Sequence, residues 1–227
     1  MPDKTTPVIT IDGPAGTGKG TICHALAKYL DWHCLDSGAI YRVFALAANQ
    51  AGINEHQTDE LVTLAQSLNL VFTVDANNRH RVMLNQVDVS EDIRQEVCGQ
   101  MASKYASIPE VRRALLERQR RFAQAPGLVT DGRDMGTVVF PHACLKIYLT
   151  ASVEERAKRR LLQLQDQGND VSLGQVVDEL TTRDTRDRER QVAPLLAACD
   201  AVTVDTSHKS IDQVLNEILE LVKRRLS

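Results

Sequence analysis

The stretch Gly13-Pro14-Ala15-Gly16-Thr17-Gly18-Lys19-Gly20-Thr21 constrains this chain more than any other. It follows the apolar, β-branched run Val8-Ile9-Thr10-Ile11 and precedes apolar residues at Ile22, Ala25, Leu26 and Leu30, which recur at helix spacing. Strand, glycine-rich turn, lysine and helix in that order predict a phosphate cradle. Glycine tolerates positive φ, so backbone N–H groups can turn inward. The helix N-terminus adds partial positive charge. Lys19 is expected to reach the outer phosphates, with a side chain that faces solvent when no ligand is bound. The residue after the lysine is Gly20, where such loops usually offer Mg²⁺ a hydroxyl. That hydroxyl is therefore expected from Thr21, or water takes its place.

Composition narrows the setting. The 227 residues, 43% hydrophobic and 25% charged, suffice for one substantial core with one or two insertions. A net charge of −3 argues against a global field for nucleic acid, whereas the clustered arginines point to a local anion site. Cys23, Cys34, Cys98, Cys144 and Cys199 are scattered, odd in number and without a CxxC pair. Most of them are expected to be buried thiols, and neither a zinc site nor a disulfide frame is expected. The polar start of the chain lacks a signal-type apolar core, and no run approaches membrane-spanning length. A cytoplasmic protein is expected, with no membrane or nucleic-acid partner, and a monomer.

Hydrophobic periodicity predicts strands near 7–11, 32–35, 128–131, 145–149 and 201–204. Helices are predicted near 19–30, 40–47, 54–68, 94–106, 111–122, 153–167, 173–182 and 211–226. Between them, 70–74, 81–84 and 86–89 read as short antiparallel strands, the first two flanking turn residues Asp75–Asn78. The expected fold is α/β: a doubly wound parallel sheet of about five strands with a small antiparallel insertion. Ligands bind beyond the strand C-termini of such sheets. Asp12-Gly13, Asp36-Ser37, Asp131-Gly132 and Asp205-Thr206 all fall at these ends.

Two further groups carry chemistry. In Asp131-Gly132-Arg133-Asp134, an acid ends a buried strand, where it can hold Mg²⁺ or its waters. In Arg183-Asp184-Thr185-Arg186-Asp187-Arg188-Glu189-Arg190, arginines alternate with acids. Such a run is either a self-paired solvated face or a set of planar forks for phosphate oxygens. Arg156 and Arg160, four apart, share a helix face. Phosphoryl transfer needs such donors and the exclusion of water.

The loop ending Gly18-Lys19-Gly20-Thr21 resembles that of nucleoside monophosphate kinases, a group of P-loop NTPase-type folds. Asp36-Ser37-Gly38-Ala39-Ile40-Tyr41-Arg42, the stretch from Gly132 to Pro141, and Arg183-Asp184-x-x-Asp187-x-x-Arg190 resemble bacterial cytidylate kinases specifically. The likeness runs from about Pro7 to the C-terminal helix. It implies transfer of the ATP γ-phosphate to CMP or dCMP with Mg²⁺. It implies an ATP site at residues 13–21, with Gly13, Pro14, Ala15, Gly16, Thr17, Gly18, Lys19, Gly20 and Thr21. Arg156 and Arg160 would meet the ATP phosphates. Ser37, Arg42, Arg133 and Arg190 would hold the acceptor phosphate. Ser103, Arg112 and Asp134 would read cytosine, and Arg183 and Asp187 would lie at the sugar. Lys19, Arg133, Arg156, Arg160 and Arg190 would be catalytic, with Thr21 and Asp131 serving the metal through water. The core would comprise about 1–53, 107–152 and 191–227, the monophosphate-binding insertion about 54–106, and a helical lid about 153–190.

The base assignment has independent support. Cytosine offers an N4 amino donor with N3 and O2 as acceptors, matching a carboxylate and an arginine. Uracil reverses both polarities, and buried mispaired groups discriminate strongly. The alternatives are a kinase for UMP or AMP on the same scaffold, or a P-loop regulator that binds without transfer. The sequence contains no Asn-Lys-x-Asp guanine motif, which weighs against the regulator.

Overall fold

The computed structural model describes residues 6–74, 80–166 and 168–226. In chain order the elements are β1 (Val8–Asp12), α1 (Lys19–Leu30), β2 (His33–Asp36), α2 (Ser37–Gln50), α3 (Thr58–Ser67) and β3 (Leu70–Val74). They continue with β4 (His80–Leu84), β5 (Val87–Asp88), α4 (Glu96–Tyr105), α5 (Pro109–Arg120), β6 (Leu128–Gly132) and β7 (Leu145–Thr150). The last are α6 (Val153–Asp166), α7 (Leu173–Glu189), β8 (Val202–Asp205) and α8 (Ile211–Leu226). The chain forms two compact units, residues 1–36 with 120–227, and residues 37–119.

The first unit is built on a five-stranded sheet in the order β2-β6-β1-β7-β8, with every neighbouring pair parallel. β1 and β6 are buried along their whole length, which suits continuous Val/Ile/Leu runs covered on both faces. α8 turns Val214, Ile218 and Val222, spaced by four, into the core that also holds Ile9, Ile11, Leu26 and Ile147. Register places Asp12 beside Gly132, and Asp36 beside Asp131, at the C-terminal edge of the sheet. The strand-end acids thus meet where the doubly wound pattern predicted.

The second unit carries the antiparallel sheet β3-β4-β5, with Leu70 opposite Leu84 and Val71 opposite Met83. Leu70 and Leu84 are buried while Val71 is exposed, the alternation of a sheet covered on one face. α2 and α4 pack through Phe44 and Tyr105, whose rings meet edge-on at 5.6 Å. The turn expected at Asp75–Asn78 lies outside the described residues.

Three helices differ most from expectation: α3, expected over 54–68, covers only Thr58–Ser67. The helix expected over 94–106 starts later: a 3-10 turn covers Asp92–Arg94, Gln95 is extended, and α4 begins at Glu96. α7, expected to end near 182, continues to Glu189 and absorbs most of the arginine–acid run. Its buried positions there are Asp184 and Asp187. Acids buried through ion pairs continue the inward face of the helix, and a count of apolar residues misses them.

Candidate active site

The phosphate loop joins β1 to α1 and is shaped by close approach. Gly13 has φ 149°, and a Cβ there would collide with the carbonyl oxygen of Leu149 on β7. Gly18, with φ 87°, caps α1 in the left-handed region that glycine adopts at low cost. Three contacts brace the loop. Arg156, 1% exposed, donates from Nη1 to the Ala15 carbonyl and from Nε to the Ala151 carbonyl, and pairs with Asp184 at 2.7 Å. Thr206 Oγ1 donates to the Thr17 carbonyl at 3.2 Å. Thr17 Oγ1 in turn donates to Pro14. Arg156 is therefore packed against the loop from outside, its guanidinium already holding two carbonyls and a carboxylate. Breaking a buried pair such as Arg156–Asp184 costs about 3–5 kcal/mol.

Lys19 does not face solvent, contrary to expectation. It is 6% exposed, and its ammonium donates to the Pro14 carbonyl at 2.6 Å and to Thr17 Oγ1 at 3.4 Å. The Pro14 carbonyl and the Thr17 hydroxyl give the ammonium internal partners, which the sequence pattern does not show. Burial holds its pKa well below 10.5; Arg133 and Arg183 act in the same direction, while Asp131 and Asp12 oppose them. A site that disfavours the charged lysine alone favours an incoming anion.

The end of β6 supplies the acids. Burial and then the neighbouring Asp36 push the Asp131 carboxyl up to about 8, with Lys19 and Arg133 opposing. Its Oδ1 is buried with no hydrogen-bond partner. That orphaned oxygen suits a hard cation, which takes oxygen ligands and favours the ionised carboxylate. No cluster of three or more His, Cys, Asp or Glu that could hold a metal occurs among the described residues. A lone carboxylate of this kind is compatible with Mg²⁺, which can take one or two carboxylates and complete its shell with waters and substrate phosphates. Thr21 is exposed on the first turn of α1.

Beyond β6 the residues form crossed ion pairs. Arg133 Nε donates to Asp187 Oδ2 at 2.8 Å, and Arg190 Nη2 meets Asp134 Oδ1 at 3.4 Å. Arg190 Nε also donates to the Ala193 carbonyl. Burial would raise the Asp187 carboxyl, but Arg133, Arg183 and Arg190 together hold it below 3.8. Nε of Arg183 is buried without a hydrogen-bond partner. Arg160 is half-exposed on α6, with Nη1 on Gln163 Oε1 at 3.3 Å.

The sequence pattern marks Asp12 only as a strand-end acid, yet it has two backbone partners. Asp12 accepts from the Met135 and Gly136 N–H groups at 2.8 Å each. Burial raises its carboxyl to about 6, although the two N–H groups lower it.

In the second unit, Ser37 opens α2 and is buried. Arg42 Nη1 donates to the Ile93 carbonyl at 3.1 Å. Arg112 lies 5.5 Å from the Tyr41 ring centroid and donates to the Ala106 carbonyl, a stacked and directed guanidinium. Ser103 is buried on α4. Of the cysteines, Cys23 and Cys98 are buried, Cys34 and Cys144 half-buried, and Cys199 exposed. Cys199, the exposed one, follows α7 in an irregular stretch.

Residues 9–224 match the family model described as "Cytidylate kinase". The chain belongs to the cytidylate kinase family. The cytidylate kinase of Aeromonas hydrophila is 55% identical over 223 residues, covering 98% of this chain and 96% of that protein. The cytidylate kinase of Methylococcus capsulatus is 53% identical over 219 residues, covering 96% and 98%. Among solved structures, an uncharacterized protein from Eubacterium ventriosum shares the fold, with a TM-score of 0.53 at 12% identity, covering 97% of this chain and 100% of that one. Membership of the cytidylate kinase family makes the chain an enzyme of the kinase class. No helix among the described residues is long and apolar enough to cross a membrane.

Proposed function

We propose that this chain transfers the γ-phosphate of ATP to CMP or dCMP, giving ADP and CDP or dCDP. The observation that carries the reading is the register of β1 with β6, which sets the phosphate loop beside Asp131 and Arg133. Family membership supplies the acceptor. An acceptor phosphate oxygen attacks the γ-phosphorus while the bond to the β–γ bridging oxygen breaks, and ADP leaves. Lys19 and the loop N–H groups hold the donor phosphates, with Arg160 as a further cation. Arg156 acts by fixing the loop carbonyl at Ala15. Ser37, Arg42, Arg133 and Arg190 hold the acceptor phosphate; Asp134, Arg112 and Ser103 read cytosine; Arg183 and Asp187 meet the sugar. Such transfer is achieved mainly by positioning and by charge aimed at the transferred group. Mg²⁺, held by Asp131 and Thr21 through water, would neutralise phosphate charge.

The reading keeps about 54–106 as the monophosphate-binding insertion and about 153–190 as a lid that excludes water. It also takes the enzyme to be a cytoplasmic monomer that binds nucleotides rather than nucleic acid or membrane, in keeping with a net charge of −3. The test is ADP release across CMP, dCMP, UMP and AMP, with and without Mg²⁺. Mg²⁺-dependent turnover highest on CMP and dCMP is expected. Preference for UMP or AMP, or no monophosphate-dependent ADP, overturns the proposal.

A further inference from the structure

The segment that follows Arg133 and Asp134 is a π-helical turn, Met135–Val139. Its backbone bonds run from Val138 and Val139 N–H to the Asp134 carbonyl and from Phe140 N–H to that of Met135, so the first N–H groups and last carbonyls of the turn need outside partners. Both ends have them. At the N–H end, the two Asp12 oxygens take one N–H each, from Met135 and Gly136, at 2.8 Å. At the carbonyl end, Arg120 donates from Nε to Val139 at 3.1 Å and from Nη2 to Val138 at 3.3 Å. An anion at the N–H end and a cation at the carbonyl end match the polarity of the turn.

The seat is tight. A Cβ on Gly136 would come within 2.8 Å of Thr10 Oγ1 and 3.1 Å of Lys146 Cδ, so the turn lies directly on β1 and β7. Asp12 is itself the last residue of β1, and Gly13 opens the phosphate loop. One carboxylate therefore ties the main chain that carries Arg133 and Asp134 to the strand that carries the phosphate loop. A carboxylate can accept both N–H groups at once; an amide of the same shape presents one oxygen and one donor.

We infer that Asp12 is a positioning residue for the acceptor nucleotide: it holds the Arg133–Asp134 segment at a fixed offset from the phosphate loop. The inference rests on the reading that Arg133 and Asp134 contact the monophosphate, and it adds the group that places them. Asp12 touches neither substrate in this scheme. Its loss moves the acceptor groups rather than removing them, and a displacement near 1 Å at a reacting centre can cost about a hundredfold.

The test is steady-state kinetics of the full chain with CMP and ATP varied separately, beside thermal melts. For Asp12→Asn, KM for CMP is expected to rise about tenfold or more, while KM for ATP stays within about twofold. Adding Asp134→Ala to Asp12→Asn should cost less than the product of the single losses, because both act through one segment. Gly136→Ala attacks the same seat from the other side and should give the same CMP-specific loss; it decides the matter if Asp12→Asn does not fold. An equal rise in both KM values, or an unchanged KM for CMP, overturns the inference. Arg133→Ala, run in parallel, separates the two levels. If it leaves KM for CMP unchanged, the acceptor assignment falls and takes the inference with it. If it raises KM and Asp12→Asn does not, the inference alone falls.

Discussion

Arg133 pairs with Asp187, 54 positions along the chain, and not with the adjacent Asp134. Nε lies 2.8 Å from Oδ2, with the side chains 18% and 7% exposed. Asp134 instead faces Arg190 at 3.4 Å. The strand-end loop is thus tied twice to the C-terminal end of α7, and each tie uses a group proposed to meet the nucleotide.

Asp187 gives a pH prediction. Its folded pKa lies below 3.8, held there against burial by Arg133, Arg183 and Arg190. A carboxyl depressed in this way contributes stability that is present above the unfolded pKa and lost as pH falls through the folded one. Asp187→Asn removes that contribution and leaves Arg133 without its partner. The wild-type melting temperature should therefore exceed that of the variant at pH 6, and the gap should narrow below about pH 4. A gap that is constant from pH 6 to pH 3 would count against the pair.

Lys19→Met should separate fold from function. Burial disfavours the charged lysine, so the ammonium costs stability at neutral pH rather than supplying it. The variant is expected to melt at or above the wild-type temperature. ADP formation should fall by orders of magnitude, since the donor to the outer phosphates is gone. Near-normal turnover by the folded variant would remove Lys19 from the reaction.

Asp134→Ala should change specificity. Loss of a charge-assisted hydrogen bond, about 1.5–3 kcal/mol, corresponds to a fall of about ten- to a hundredfold in kcat/KM for CMP. UMP should lose less, because its O4 no longer faces a carboxylate. The pair with Arg190 adds a loss common to both substrates, so the CMP/UMP ratio is the deciding quantity. An unchanged ratio with an intact fold leaves Arg112 and Ser103 as the base readers.

Asp131→Asn should weaken the response to Mg²⁺. With a non-hydrolysable ATP analogue present, MgCl₂ is expected to raise the wild-type melting temperature more than that of the variant. The Mg²⁺ concentration for half-maximal turnover should rise about ten- to a hundredfold. Identical Mg²⁺ titrations in both proteins would exclude Asp131 as the carboxylate that serves the metal.

The chain order of apolar runs determined much of this protein by itself. Val8–Ile11 and Leu128–Val129 are β-branched or aliphatic throughout, so strands buried on both faces and a parallel sheet follow directly. The spacing of Gly13, Gly18 and Lys19 determined the phosphate loop, because only that pattern combines a tight turn with a helix N-terminus. Asp131 was legible as an acid closing a buried strand. Tertiary structure decided which charges meet. The burial of Lys19 on the Pro14 carbonyl, the use of Arg156 to brace Ala15, and the pairing of Asp187 with Arg133 depend on distances between segments far apart in sequence. The extension of α7 through Asp184 and Asp187 has the same origin, since an acid becomes an inward position only when a cation waits for it. Asp12 is the plainest case: its two acceptors are visible in the chain, but the N–H groups they take belong to a turn more than a hundred residues away, brought there by the register of β1 with β6.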